Sequence, residues 1–289
     1  MSETQISVLS RFKFGHPAPE PFGNLDSPTL SLARNRELDP GFTLPPPLLP
    51  LPDDVLTNPK SAHIDVRAWF DDPSRPFELE IGSGKGTFLV QEAARRPGSN
   101  YLGIEYAREF YSYAADRIRR AGLGHVRMLG VDASEFVRWR LPERVCDVVH
   151  LYFADPWPKT KHHRRRMIQD RFLQDCTRVI KPGGELRIVT DHEDYWLWME
   201  EHFARWTGPD QPFDREEFKP VLPVRDMDRD DVPAQAELAT DSNQGGAGSP
   251  RDEVAQRDVE LVGTNFERKY RAEGRTFHAV TLRLVRPRN

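Results

Sequence analysis

The sequence predicts a doubly wound, Rossmann-like α/β fold whose sheet is mostly parallel and ends in an antiparallel C-terminal strand. Three observations lead there. Short apolar runs ending in turn residues alternate with segments of helical periodicity. The first run, Phe77-Glu78-Leu79-Glu80-Ile81, leads straight into glycines at 82, 84 and 86. The chain closes on a period-two stretch, Phe277 to Leu284, the pattern of a half-buried strand. Repeated βαβ units imply parallel strands, right-handed crossovers and helices on both faces. Ligands of such folds sit at the carboxyl ends of the strands.

In chain order, residues 1–60 are rich in proline and poor in periodicity. The stretch Leu44-Pro45-Pro46-Pro47-Leu48-Leu49-Pro50-Leu51-Pro52 favours polyproline II and excludes helix. This region is expected to be a largely irregular extension, mobile or draped over a single domain at 61–289. After the first strand a helix starts near Thr87, with Phe88, Leu89 and Ala93 on one face. Tyr101 to Glu105 is the second strand, and the next helix places Phe110, Ala114, Ile118 and Ala121 together. Val126 to Leu129 is the third strand, and Cys146 to Phe153 the fourth, long enough to lie centrally. Glu185 to Thr190 is the fifth, entered through the turn Lys181-Pro182-Gly183-Gly184. Between about 225 and 256, alternating charges and Gly245-Gly246-Ala247-Gly248-Ser249-Pro250 predict a disordered insert.

Bulk properties narrow the function classes. The net charge of −4 means that a nucleic-acid partner must be met by a local basic patch. Cys146 and Cys176, the only cysteines, form no disulfide framework and suit a reducing compartment. No apolar run approaches the roughly 20 residues of a membrane span. Arg11 and Lys13 are followed by Gly15, His16 and Pro17, unlike a signal peptide. The expectation is a cytoplasmic protein without membrane segment or metal site.

Three nucleotide readings compete for the glycine loop Glu80-Ile81-Gly82-Ser83-Gly84-Lys85-Gly86. A P-loop needs Ser or Thr after Gly84-Lys85, where Gly86 stands. A dinucleotide loop needs a last glycine where Thr87 stands, and Glu80 would repel a pyrophosphate. S-adenosylmethionine (SAM) carries a cationic amino group and a sulfonium, so chemistry favours it. Two further acids end strands on the same rim. Glu105 is placed to accept ribose hydroxyls. Asp132 is placed to accept from the adenine amino group, with the N–H of Ala133 meeting the ring.

The fourth strand ends in Phe153-Ala154-Asp155-Pro156-Trp157-Pro158-Lys159-Thr160-Lys161-His162-His163-Arg164-Arg165-Arg166. Pro156 forces Asp155 to extended geometry and stops the strand, which turns its carboxylate toward the cofactor's methyl group. Trp157 offers a plane for a base, and Lys159, Lys161 and Arg164 to Arg166 offer phosphate contacts.

These segments resemble the tRNA (guanine-N7-)-methyltransferases, which modify a guanine of the variable loop. The matching pieces are Leu79 to Gly86, Gly103-Ile104-Glu105, Asp155-Pro156-Trp157-Pro158-Lys159 with its basic sequel, Thr190-Asp191 and Thr264-Asn265-Phe266-Glu267-Arg268. The glycine loop is generic to methyltransferases; the Asp-Pro-Trp and Thr-x-Phe-Glu segments are specific. Ala154 stands where the family usually has proline, and Asn265 where lysine or arginine is common. The resemblance implies SAM contacts from Glu80, Glu105, Asp132 and Asp155, with Asp155 also catalytic. It implies nucleotide contacts from Lys159, Asp191, Thr264, Asn265, Phe266 and Glu267. The expected partner is tRNA, and the expected form a monomer or homodimer without an obligate partner subunit. The competing readings are a class I methyltransferase of another RNA or small-molecule acceptor, and a non-catalytic RNA-binding relative.

Overall fold

The computed structural model describes residues 43–44, 51–220 and 261–286. The run Phe77–Ile81 is a strand buried at every position, because apolar and acidic side chains alternate and both faces are covered. Numbered in chain order, the strands are β1 (Thr43–Leu44), β2 (Phe77–Ile81), β3 (Asn100–Ile104), β4 (Val126–Leu129), β5 (Cys146–Tyr152), β6 (Ile180–Thr190), β7 (Phe213–Glu216) and β8 (His278–Leu284). The helices are α1 (Thr87–Arg95), α2 (Arg108–Arg120), α3 (Ala133–Trp139), α4 (Asp170–Val179), α5 (Glu193–Trp206) and α6 (Asn265–Ala272). One sheet takes the order β1-β4-β3-β2-β5-β6-β8-β7. β8 runs antiparallel to both its neighbours, β6 and β7, and the remaining pairs are parallel.

The chain winds from β2 outward to β4, then returns to lay β5 on the other side of β2. Strand order therefore reverses at β2, and the crevice above that switch point is where such sheets bind ligands. Alternate residues feed two layers. Leu79, Ile81, Leu102, Ile104 and Leu129 join a large core with α3, α4 and α5. Tyr101, Val126 and Met128 pack on the other face against Leu89, Val90, Ala93, Ala114, Ala115 and Ile118 of α1 and α2. Glu78 and Glu80 lie on that second face, 1% and 4% exposed.

Several particulars differ from the expectations. The second helix ends at Arg120, and Ala121 is its exposed cap, so the apolar stripe stops one turn earlier. Lys181 to Gly184 is not a turn before the fifth strand but an irregularity inside β6, where the register against β5 jumps from Cys146↔Ile180 to Val148↔Glu185. Gly183 takes a left-handed φ of 81° there. β7 holds a single core residue, Phe213. It exists through pairing with β8, where Arg283 bonds both Glu216 and Glu185. Long before residue 61 the chain is already packing: Thr43–Leu44 joins the sheet edge beside β4, and Val55 is buried. The rest of the proline arm before 51, and the whole stretch 225–256, lie outside the described residues. No helix among the described residues is long and apolar enough to cross a membrane.

Candidate active site

Gly82, Gly84 and Gly86 all adopt left-handed φ, at 75°, 53° and 70°, which a side chain would strain. Gly86 also has no room: a Cβ there would stand 2.8 Å from the Cβ of Ala114 on α2. Gly103 is tighter still, 2.3 Å from Leu89. These two positions let α1 and α2 close on the sheet, and so set the floor of the crevice.

Two strand-end acids shape that crevice. Glu80 is buried, and its Oε2 has no hydrogen-bond partner. Burial, added to by the charge of Glu105 and opposed by the Ser83 hydroxyl, pushes its carboxyl up to about 8. Glu105 takes the N–H of Gly84 on Oε2 and the N–H of Ala107 on Oε1, each at 2.8 Å. It clamps the glycine loop to the start of α2. Burial raises its pKa, the two N–H donors oppose this, and the Asp155 carboxylate adds to it. Glu105 thus stands between its neighbours in charge, close enough to Glu80 to raise it and close enough to Asp155 to be raised by it. Asp132 ends further along the rim, exposed, capping α3 by accepting from the N–H of Glu135 at 3.1 Å. Ala133 is the first residue of that helix.

Asp155 sits at the mouth, open to water on one side. Surrounding protein atoms nonetheless raise its pKa. Its loop is strained: Phe153 and Trp157 have left-handed φ of 54° and 43°, each costing on the order of 1–2 kcal/mol for a residue with a Cβ. Strain held on both sides of one carboxylate marks a position that the surrounding structure imposes. The basic run that follows splits in two. Lys159, Lys161 and Arg164 are exposed. Desolvation, then the charges of Arg165, Lys161, Lys159 and Arg164, keep His162 below its ordinary range. Arg165 lies over the Trp157 ring at 4.8 Å, so one face of the plane expected for a base is covered. Arg166 faces inward, 2% exposed; as a phosphate contact it is corrected to a buried strut.

The C-terminal segment crosses to the same mouth. Phe266, 53% exposed, reaches the loop, its ring 4.0 Å from where a Cβ on Gly84 would be. Asp191 accepts from Arg275 at 2.6 Å, and Arg275 stacks on Tyr270 at 4.0 Å. Tyr270 feels both Asp191 and Asp155. The Thr-x-Phe-Glu segment is largely architectural. Thr264 caps α6 through the N–H of Glu267. The Glu267 carboxylate, fully buried, accepts the N–H groups of Leu261, Val262 and Gly263 and an ion pair from Arg271. Those partners tie both of its oxygens to the loop before α6 and to the helix itself. Asn265 is the first residue of α6.

Among the expected residues, the structure gathers Glu80, the glycines, Glu105, Asp155, Asp191 and Phe266. Lys159 and Asp132 are exposed, and Ala133 opens α3 behind its Asp132 cap. Two residues that sequence reasoning missed belong with them: Tyr106, 58% exposed directly after Glu105, and Tyr270. An exposed aromatic gives no pattern in a sequence, though the adjacency of Tyr106 to Glu105 was a usable signal. No group of three His, Cys, Asp or Glu among the described residues is placed to hold a metal ion.

Residues 74–220 match the family model described as "Putative methyltransferase". The chain is 35% identical over 210 residues to a tRNA (guanine-N(7)-)-methyltransferase of Corynebacterium diphtheriae, covering 70% of this chain and 81% of that protein. It is 40% identical over 141 residues to one of Halorhodospira halophila, covering 49% and 61% of the two chains. It is 33% identical over 155 residues to one of Streptococcus suis, covering 54% and 72%. Among solved structures it is similar to the aminoglycoside resistance methyltransferase NpmB1, at 16% identity and a TM-score of 0.43, covering 82% of this chain and 95% of that one. That last likeness is too distant to bear on the acceptor.

Proposed function

The chain belongs to the tRNA (guanine-N7-)-methyltransferase family, and on that premise we propose that it methylates N7 of a variable-loop guanine in tRNA, with SAM as donor. The observation that carries the cofactor half is Glu80. A carboxyl oxygen buried without a partner, beside three left-handed glycines, fits a cationic ligand, whose charge favours the ionised form, better than a phosphate. Glu105, held by backbone N–H groups of Gly84 and Ala107, is an acceptor of the kind that suits a vicinal diol. Phe266 and Tyr106 supply apolar walls at the mouth. These residues fit SAM; when bound, it supplies an electrophilic methyl group on a sulfonium.

Guanine N7 bears an in-plane lone pair and no proton at neutral pH, so the protein need not supply a general base. Its task is orientation, which can lower a barrier by up to about 7–11 kcal/mol. The product ring is cationic. A carboxylate that accepts from the base's N1–H and N2 amino group offsets that charge as it develops. Asp155 suits this role better than Asp191. Asp191 already shares its charge with Arg275, whereas Asp155 has no cation partner among the described residues. Asp155 is then a base-orienting and electrostatic residue rather than a proton acceptor.

The test is Asp155→Ala. The expected outcome is loss of turnover on tRNA of at least 100-fold, roughly the span seen when one preorganised electrostatic partner is removed, with SAM binding by calorimetry retained. Near wild-type turnover would sink the role given to Asp155.

A further inference from the structure

We propose that Arg166 is a positioning residue: its buried guanidinium fixes the Asp155-Pro156-Trp157 turn against the segment that begins α5, and so holds Asp155 in register with Asp191. This rests on the reading of Asp155 as the carboxylate that orients the base.

Five observations carry it. The Arg166 side chain is 1% exposed, unusual for arginine unless every donor has work. Its Nε donates to the carbonyl of Pro156 at 2.8 Å, one residue from Asp155. Its Nη2 bonds the Asp194 carboxylate in the first turn of α5, three residues beyond Asp191. Its guanidinium lies between aromatic partners, 5.2 Å from the ring of Tyr195 and 5.3 Å from that of Trp198. The backbone around it is fastened to the same helix, with Ile168 N–H donating to the Tyr195 hydroxyl at 3.1 Å and Trp198 Nε1 to the Ile168 carbonyl at 2.7 Å.

The turn it holds is the one with left-handed residues on either side of Asp155. A strained turn relaxes unless something outside it fixes the carbonyls, and Arg166 holds the carbonyl of Pro156 directly. The planar fork matters as well as the charge. One edge serves the carbonyl, another serves Asp194, and the faces stack on rings, a combination that a lysine ammonium cannot reproduce.

The test is Arg166→Lys, measured with full-length enzyme for kcat and KM on tRNA, SAM affinity by calorimetry, and melting temperature. Positioning predicts a kcat at least 10-fold lower, with KM for tRNA and SAM affinity within about two-fold of wild type. A raised KM with normal kcat would make Arg166 a tRNA contact and overturn the proposal, as would a normal kcat. The Asp155→Asn background gives the second arm. If Arg166 acts through Asp155, Arg166→Lys adds little further loss there, since residues sharing one function are non-additive; a full additional 10-fold loss would show independent action and overturn it. Wild-type turnover in Asp155→Asn alone would overturn the reading of Asp155 and this proposal together. A normal kcat in Arg166→Lys beside a defective Asp155→Asn overturns the positioning role only. Should Arg166→Lys fail to fold, Asp194→Asn carries the test, with a severalfold lower kcat expected at unchanged SAM affinity and a normal kcat overturning the proposal.

Discussion

A carboxyl pushed up to about 8 by burial makes Glu80 a proton-linked part of its site. In the ligand-free fold it is mostly protonated at neutral pH, and a cation binding beside it expels that proton. SAM affinity should therefore rise with pH up to about 8 and level off above it. Calorimetry in buffers of different ionisation enthalpy would register the released proton, and Glu80→Gln should weaken binding and remove the slope. Stability follows the opposite sense. A carboxyl whose folded pKa lies above its unfolded value contributes stability that is present below about 4.5 and lost as pH rises through about 8. The ligand-free melting temperature should fall across that window by more in the wild type than in Glu80→Gln. Glu80, Glu105 and Asp155 were legible as site candidates because acids at strand ends beside a glycine loop are a chemical pattern. Arg166 was not, since the third arginine of a basic run reads as solvated until the turn Thr160–Arg165 swings it inward beneath Trp198.

Helix α6 shows how an element can look like a binding motif and act as a fastener. Three backbone N–H groups converge on one buried carboxylate that also pairs with Arg271. Glu267→Ala would leave them unsatisfied, at a cost on the order of 1–3 kcal/mol for each buried group left unpaired. The expected result is a clear drop in melting temperature together with lower turnover, as Phe266 leaves the glycine loop. Thr264→Ala, which removes only the cap, should cost about 1 kcal/mol. If Glu267→Ala kept its stability and lost only tRNA affinity, the carboxylate would be a ligand contact instead. Elements with periodic apolar faces were readable from the sequence, including β2, β4, β8 and α1. β7 was not, because its backbone pairing and the Arg283 ion pairs hold it rather than an apolar pattern. The Lys181 to Gly184 stretch likewise reads as a turn, and only the long pairing of β5 with β6 draws it into the sheet.

At the scale of the whole molecule, a protein of net charge −4 has to meet a polyanion locally, and among the described residues Lys159, Lys161 and Arg164 form an exposed basic cluster just after Asp155, the proposed place for it. Local attraction then overrides the global sign, as long as salt is low enough for phosphate contacts to count. Lys159→Ala should weaken tRNA binding and reduce the salt slope by about one; an unchanged slope would remove Lys159 from the phosphate contacts. The fold and the donor loop could be read from spacing and charge, whereas the acceptor depended on the resemblance, because a basic run specifies phosphate and no particular base. The acceptor is therefore where the central claim is most exposed. Unmodified tRNA incubated with the protein and SAM, digested and mapped by mass spectrometry, should gain 7-methylguanosine at one variable-loop guanine, and Asp155→Ala should add none. Methyl incorporation at another base or another RNA, or none with folded wild-type protein, would contradict it.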